Sequence, residues 1–313
     1  MKRIRVLTFC FRKLPNYFNV WLKSAGMNPE IDFLVVTTDT TKYDLPENIE
    51  IKNYTFDWVL DRVRSKLDCP IDIRDPYKFC DTRPMFGYLF PEWFEGYEFW
   101  GGCDLDVVFG DIRAFITDEV LEKYDKILTR DHFYLYRNTE EVNKRFMLPH
   151  MGKDKFYQQV LGDHLLYCFG ERKNWGMYFL YLNYGFPMFD APVSADVFHK
   201  KKAFHVNTGE ASKGQIFSWK NGKLYATYIK MDGTIGEKEY MYVHLQKRPM
   251  ESINDEEIRD NFIIVPNQFL TSPSRMTADL ITKYSKEPIL YDEFVKQTIM
   301  KFKKSSKDVF YQG

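Results

Sequence analysis

The sequence predicts an α/β fold, a mostly parallel sheet flanked by helices with an antiparallel meander in the C-terminal half. Three observations carry this. The chain opens strand–helix–strand. An aromatic strand at Tyr97–Cys103 runs straight into two acidic residues. Asn221-Gly222 and Asp232-Gly233 then mark hairpin turns between alternating segments.

Ile4 to Phe11 runs apolar and reads as a buried strand. Leu14-Pro15-Asn16 opens a helix with Val20, Leu22 and Ala25 at apolar positions, and Asp32 to Thr37 forms the second strand. Ile49 to Asn53 is a short third strand. Phe56 to Leu67 follows as a helix with Thr55 as N-cap. Pro84 suits the first turn of the next helix. Phe86, Leu89, Phe90 and Trp93 make its amphipathic stripe. A helix is expected at Glu119–Tyr124, with strands at Lys126–Thr129 and Phe133–Arg137. Gln215–Leu245 reads as a three-stranded meander, and the chain from about Pro266 reads as a helical tail. Together these give one α/β domain over residues 1–265 with the tail at 266–313.

Composition narrows the function. The 44 basic and 44 acidic side chains balance, which argues against bulk nucleic-acid binding. No apolar run approaches the roughly 20 residues needed to cross a bilayer. The basic N-terminus is followed by an apolar stretch broken at Arg12 and Lys13, so no signal peptide is read there. The five cysteines show no C-x-x-C spacing, which fits a reducing cytosol. The 27 Phe, 21 Tyr and 6 Trp mostly fill a core. Trp175, Tyr178 and Tyr181, for example, suit a core helix face better than a sugar platform.

Asp104-Leu105-Asp106 is the strongest chemical signal. Two carboxylates at i and i+2 leaving a strand reach one hard divalent cation, which prefers oxygen ligands and bridges phosphates. The spacing arises by chance in a chain this rich in Asp. Its weight comes from the apolar strand before it and from its place at a carboxyl strand end, where open α/β sheets bind ligands. His244 ends an alternating segment and is followed by Lys247 and Arg248, a grouping suited to a metal-diphosphate. His132, His150, His164, His199 and His205 show no metal-binding spacing.

The run Phe99-Trp100-Gly101-Gly102-Cys103-Asp104-Leu105-Asp106-Val107-Val108-Phe109-Gly110-Asp111-Ile112 resembles the D-x-D region of GT-A-type glycosyltransferases. More narrowly, it resembles a family of bacterial proteins found in surface-polysaccharide gene clusters. Further matching blocks are Pro15-Asn16-Tyr17-Phe18, Trp21-Leu22-Lys23-Ser24, Asn28-Pro29, the segment Pro76 to Gly87, and Tyr242-Val243-His244-Leu245-Gln246-Lys247-Arg248. The resemblance implies a GT-A-like, Rossmann-like catalytic domain, with residues 1–112 as the nucleotide-sugar half and 113–265 as the acceptor half. It implies a metal-dependent transfer of sugar from a nucleoside-diphosphate donor, a UDP-sugar above all, to a glycan acceptor in bacterial surface polysaccharide synthesis. Asp104, Asp106 and His244 would hold Mn²⁺ or Mg²⁺. Phe11 would flank the base, and Asp39 would sit by the uracil or ribose. Lys78, Asp81 and Arg83 would face the ribose or diphosphate, and Lys247 the leaving group.

Asp163 and Asp196 are the candidate general bases, each also readable as a cap or surface carboxylate. A nucleotidyltransferase is the alternative enzyme, but Cys10-Phe11-Arg12-Lys13-Leu14-Pro15 lacks the glycines its phosphate loop needs. A carbohydrate-binding protein without activity would not need Asp104, Asp106 and His244. A lipid-linked acceptor would place the protein at the inner face of the cell membrane. The segment Leu290–Lys304 then offers a weak peripheral contact, with Leu290, Phe294, Ile299 and Phe302 beside four lysines.

Overall fold

The computed structural model describes residues 3–197, 203–248, 250–251 and 260–285. A mixed α/β architecture is built on a seven-stranded sheet. Its strands are β1 (Ile4–Cys10), β2 (Ile31–Thr37), β3 (Ile49–Asn53), β4 (Phe99–Cys103), β6 (Lys126–Arg130), β7 (Phe133–Arg137) and β8 (Met188–Phe189). The order is β3-β2-β1-β4-β7-β6-β8. Only β7 runs antiparallel to its neighbours, pairing with β4 and β6.

The apolar runs of β1 and β2 arise because both faces of this sheet are covered. Leu7, Leu34 and Val36 join one core. That core is closed by α2 (Phe56–Lys66), α3 (Phe86–Leu89), α5 (Glu140–Lys144), α6 (Phe156–Gly162) and α7 (Met177–Tyr184). Ile4, Val6, Phe33 and Val35 join the opposite core with α1 (Phe18–Gly26) and α4 (Asp118–Lys123). Thr55 caps α2 by accepting the Trp58 N–H at 3.2 Å. Of the three aromatic residues expected on a core helix face, Tyr181 is fully buried, Tyr178 is half-buried beside Arg172, and Trp175 lies before α7.

A five-stranded antiparallel sheet follows, ordered β12-β11-β10-β14-β15. It comprises β10 (Ser212–Lys220), β11 (Lys223–Lys230), β12 (Ile235–Tyr240), β14 (Asn261–Val265) and β15 (Gln268–Thr271). Positive φ at both Asn221 and Gly222 gives the tight turn joining β10 to β11. A third, small sheet joins β5 (Val107–Phe109), β13 (Tyr242–His244) and β9 (Ser194–Asp196) in the order β5-β13-β9.

Three expectations are corrected. The segment after Tyr77 is a 3₁₀ helix, Lys78–Met85, with Pro84 near its end. The α-helix behind it stops at Leu89, because Pro91 has no N–H to continue it. The stripe Phe86, Leu89, Phe90 and Trp93 stays buried across this break. The meander ends at Tyr240, and Tyr242–His244 leaves it for the small sheet. Past Pro266 the chain first forms β15, then α8 (Ala278–Tyr284). Pro266 followed by Asn267 at φ 68° makes the type II turn of that hairpin. No helix among the described residues is long and apolar enough to cross a membrane. The segment Leu290–Lys304 lies outside the described residues.

Candidate metal centre

The chain runs from β1 outward through β2 and β3, then returns to place β4 on the other side of β1. Strand order therefore reverses between β1 and β4. Ligands of open α/β sheets settle at the carboxyl ends of the strands beside such a reversal. The crevice there is lined by Thr8, Phe9, Phe79, Cys80, Arg83 and Cys103.

Asp104 leaves the end of β4, and its N–H donates to the His132 carbonyl at 3.2 Å. Leu105 is buried, so the two carboxylates share one side of the chain. His244 arrives through strand pairing. Antiparallel β5–β13 register sets it opposite Val107, one residue after Asp106. Its Nε2 lies 3.4 Å from Asp106 Oδ1 and 3.8 Å from Asp104 Oδ2. The backbone clamps this junction. The Leu245 N–H donates to the Asp106 carbonyl at 2.8 Å, and the Lys247 N–H to Asp106 Oδ2 at 2.6 Å.

Asp104, Asp106 and His244 each offer a ligand atom, all within 4.8 Å of one another. Two carboxylate oxygens and an imidazole fit Mn²⁺, and fit Mg²⁺ with more retained water. His132, Asp196 and His244 form a second such group. There, however, the two imidazoles stack at 4.3 Å with 17° between planes. Nitrogen lone pairs lie in the ring plane, so stacked rings do not converge on one ion. His132 Nδ1 is also 2.7 Å from the Tyr242 hydroxyl.

Electrostatics follow this arrangement. Burial opposes charge on His244, but Asp106, Asp196 and Asp104 outweigh it and raise the imidazole to about 10. Burial, then the charge on His244, keeps His132 well below the usual range. Burial raises the Asp196 carboxyl, but hydrogen bonding and charge from His244 overcome this and lower it to about 2.

The other predicted residues divide. Arg83 ion-pairs with Asp104 Oδ1 and donates to the Asp131 carbonyl at 2.6 Å. Lys247 is exposed, its ammonium 4.5 Å from the Tyr77 ring centroid. Phe11 follows β1 and packs on Phe56 at 5.2 Å between centroids. Asp39 follows β2 and accepts the Thr41 N–H at 2.8 Å. Both sit at the carboxyl edge of the sheet, after the strand ends that precede them.

Lys78 and Asp81 do not face an open site. They pair at 2.8 Å and are 3% and 0% exposed. Lys78 also donates to the carbonyls of Val160 and Leu165, and Asp81 accepts from the N–H groups of Tyr167 and Phe169. These bonds tie the 3₁₀ segment to the 160–169 loop and leave neither group for a diphosphate. Asp163 caps the end of α6, accepting from the Leu165 N–H and the Tyr167 hydroxyl, each at 2.9 Å. Asp196 has both oxygens engaged, by His244, Gln246 and Arg130. Neither carboxylate is presented as a free base.

Sequence reasoning missed Arg130 and Asp131 and set His132 aside. Arg130 ends β6, Asp131 and His132 turn the chain into β7, and Phe133 pairs with Cys103, so the turn reaches the same edge as Asp104. A bulge between Ile127 and Arg130, with Leu128 at φ 61°, re-aims these residues. Burial pushes the Asp131 carboxyl up to about 7, against the pull of Arg83. The only signal in the sequence was an Arg-Asp-His run at a strand–strand turn.

No curated protein matches this chain. One family model matches residues 6–273, a span that contains the D-x-D pair, His244 and the strands that bring them together. By that match the chain belongs to a family of unknown function (DUF6625).

Proposed function

We propose that this protein is a metal-dependent glycosyltransferase of the GT-A type. It would move a sugar from a nucleoside-diphosphate donor, a UDP-sugar above all, to a hydroxyl of a glycan acceptor in bacterial surface polysaccharide synthesis. One observation carries this reading. Two carboxylates at the end of β4 and an imidazole from the C-terminal half converge at the strand-order reversal.

In this reading Asp104, Asp106 and His244 hold Mn²⁺ or Mg²⁺. The cation supplies Lewis-acid stabilisation of the departing diphosphate. Arg83 and Lys247 place two positive groups beside the same carboxylates, where charge-assisted bonds to phosphate oxygens are strongest. Arg83 also keeps the Asp104 carboxylate turned so that Oδ2 faces His244. Phe11 and Asp39, after β1 and β2, serve the base and ribose.

Calorimetric titration of UDP with and without Mn²⁺ tests the reading. The full chain should bind UDP only when Mn²⁺ is present. Asp106→Ala should weaken that binding at least about tenfold, or 1.4 kcal/mol. Binding that ignores Mn²⁺, or survives undiminished in Asp106→Ala, removes the proposal.

A further inference from the structure

We propose that Asp196 is a positioning residue for His244. It holds the Nδ1–H of the imidazole so that Nε2 is presented toward Asp104 and Asp106. The inference deepens the metal reading above and rests on it.

The placement comes from the fold. Parallel β9 and β13 set Asp196 and His244 as direct neighbours across the strands. His244 Nδ1 is 3.0 Å from Asp196 Oδ1. Two further donors from different elements fix that carboxylate. Gln246 Nε2 donates to Oδ1 at 2.6 Å, and the Arg130 guanidinium to Oδ2 at 2.9 Å. A carboxylate held by donors on both oxygens can only accept from the ring, so the proton belongs on Nδ1. The proton that a cation must displace from the ring is then the one on Nε2, the nitrogen that faces Asp104 and Asp106.

The ring has little freedom to turn away. His132 lies flat against it at 4.3 Å, and His132 is itself tied to the buried Tyr242 hydroxyl at 2.7 Å. Carboxylate–histidine–metal chains of this kind orient the ligand and raise its basicity. The same contacts remove Asp196 from the role of general base, because each oxygen already accepts a proton donor. They also separate this role from direct metal ligation by Asp196, which would require Oδ1 to give up His244 and Gln246.

Free Mn²⁺ measured by electron paramagnetic resonance reports the affinity of the full chain without any activity assay. Asp196→Ala should weaken Mn²⁺ binding by about 10- to 100-fold. Asp196→Asn, which keeps an oxygen acceptor, should recover part of that loss. The effect must pass through the ring, so His244→Ala/Asp196→Ala should bind no more weakly than His244→Ala alone. In the Mg²⁺-loaded wild type, long-range ¹H–¹⁵N spectra should show the His244 proton on Nδ1. That measurement stands even where the alanine variant fails to fold. Additive losses in the double variant, or a proton on Nε2 with Mg²⁺ bound, overturn the inference. So does wild-type affinity in Asp196→Ala while Asp106→Ala is weakened, and the metal reading then survives. Unchanged Mn²⁺ affinity in Asp106→Ala removes both.

Discussion

Lys78 and Asp81 illustrate how surroundings assign a charge its role. By the family resemblance they would face the ribose or diphosphate of a donor. In the fold they close on each other in the core, with backbone partners for the remaining valences. Removing one member leaves the other buried and unpaired, so Asp81→Ala should cost about 3–5 kcal/mol of stability. Urea unfolding checks this, and a loss below about 1 kcal/mol would place the pair in an exposed setting. Lys126 is a second buried cation, 1% exposed, donating to the Tyr136 hydroxyl at 2.9 Å. Burial outweighs the attraction of Asp131 and Asp190 and lowers its ammonium from 10.5 to about 8. Between those values the unfolded chain binds more protons than the folded one, so stability rises with pH across that window. Measured against Lys126→Met, which lacks this titration, the wild type should gain roughly 3 kcal/mol as pH rises through it. A difference that stays flat from pH 8 to pH 10.5 would contradict the assignment.

At the scale of elements, β4 shows why a glycine pair precedes the acidic one. A Cβ on Gly102 would lie 2.4 Å from the Tyr134 hydroxyl, and one on Gly101 would lie 2.0 Å from the Tyr134 carbonyl oxygen. The absent side chains let β7 and its Tyr134 ring close on β4. The Tyr134 hydroxyl then donates to the Arg83 carbonyl at 3.1 Å, beside the Arg83–Asp104 pair. Gly102→Ala should therefore cost about 1–3 kcal/mol by overpacking, read by chemical denaturation. It should also weaken Mn²⁺-dependent UDP binding, because the displaced ring carries Arg83 with it. Unaltered stability would mean that β4 and β7 stand further apart. The hairpin turns carried their own signals, Asn221-Gly222, Asp232-Gly233 and Pro266-Asn267, yet only the first two entered the sequence reading. The last falls where the chain reads as a helical tail from about Pro266, and its strands are fixed by pairing of β14 with β10, far away in sequence.

At the scale of the molecule, the antiparallel sheet is not an appendage. The Trp219 indole donates to the Phe109 carbonyl at 2.8 Å. Phe217, Trp219 and Phe262 share a core with Tyr17, Val20 and Val108 from the N-terminal half. The small β5-β13-β9 sheet sews the two halves together beside the Asp104, Asp106 and His244 cluster. Tryptophan fluorescence samples both sheets through Trp100 and Trp219, and far-UV circular dichroism samples the whole backbone. Their urea transitions should coincide. Separate midpoints would show that the antiparallel sheet unfolds on its own.

Local terms were legible in one dimension. Apolar runs specified β1, β2 and β4, period-2 alternation and turn chemistry specified the meander, and Thr55 marked the start of α2. The sequence also singled out Asp104, Asp106 and His244, because residue type and position at strand ends are local properties. Tertiary structure alone decided which charges meet. Lys78 and Asp81 went to the core, Arg83 went to Asp104, Asp163 went to a helix end, and Asp196 and His132 came to lie around His244. The physical reason is range. Backbone propensity and hydrophobic period act over a few residues, whereas Asp196 and His244 become neighbours only when β9 and β13 pair across nearly fifty residues of chain. No spacing rule in one dimension records that pairing.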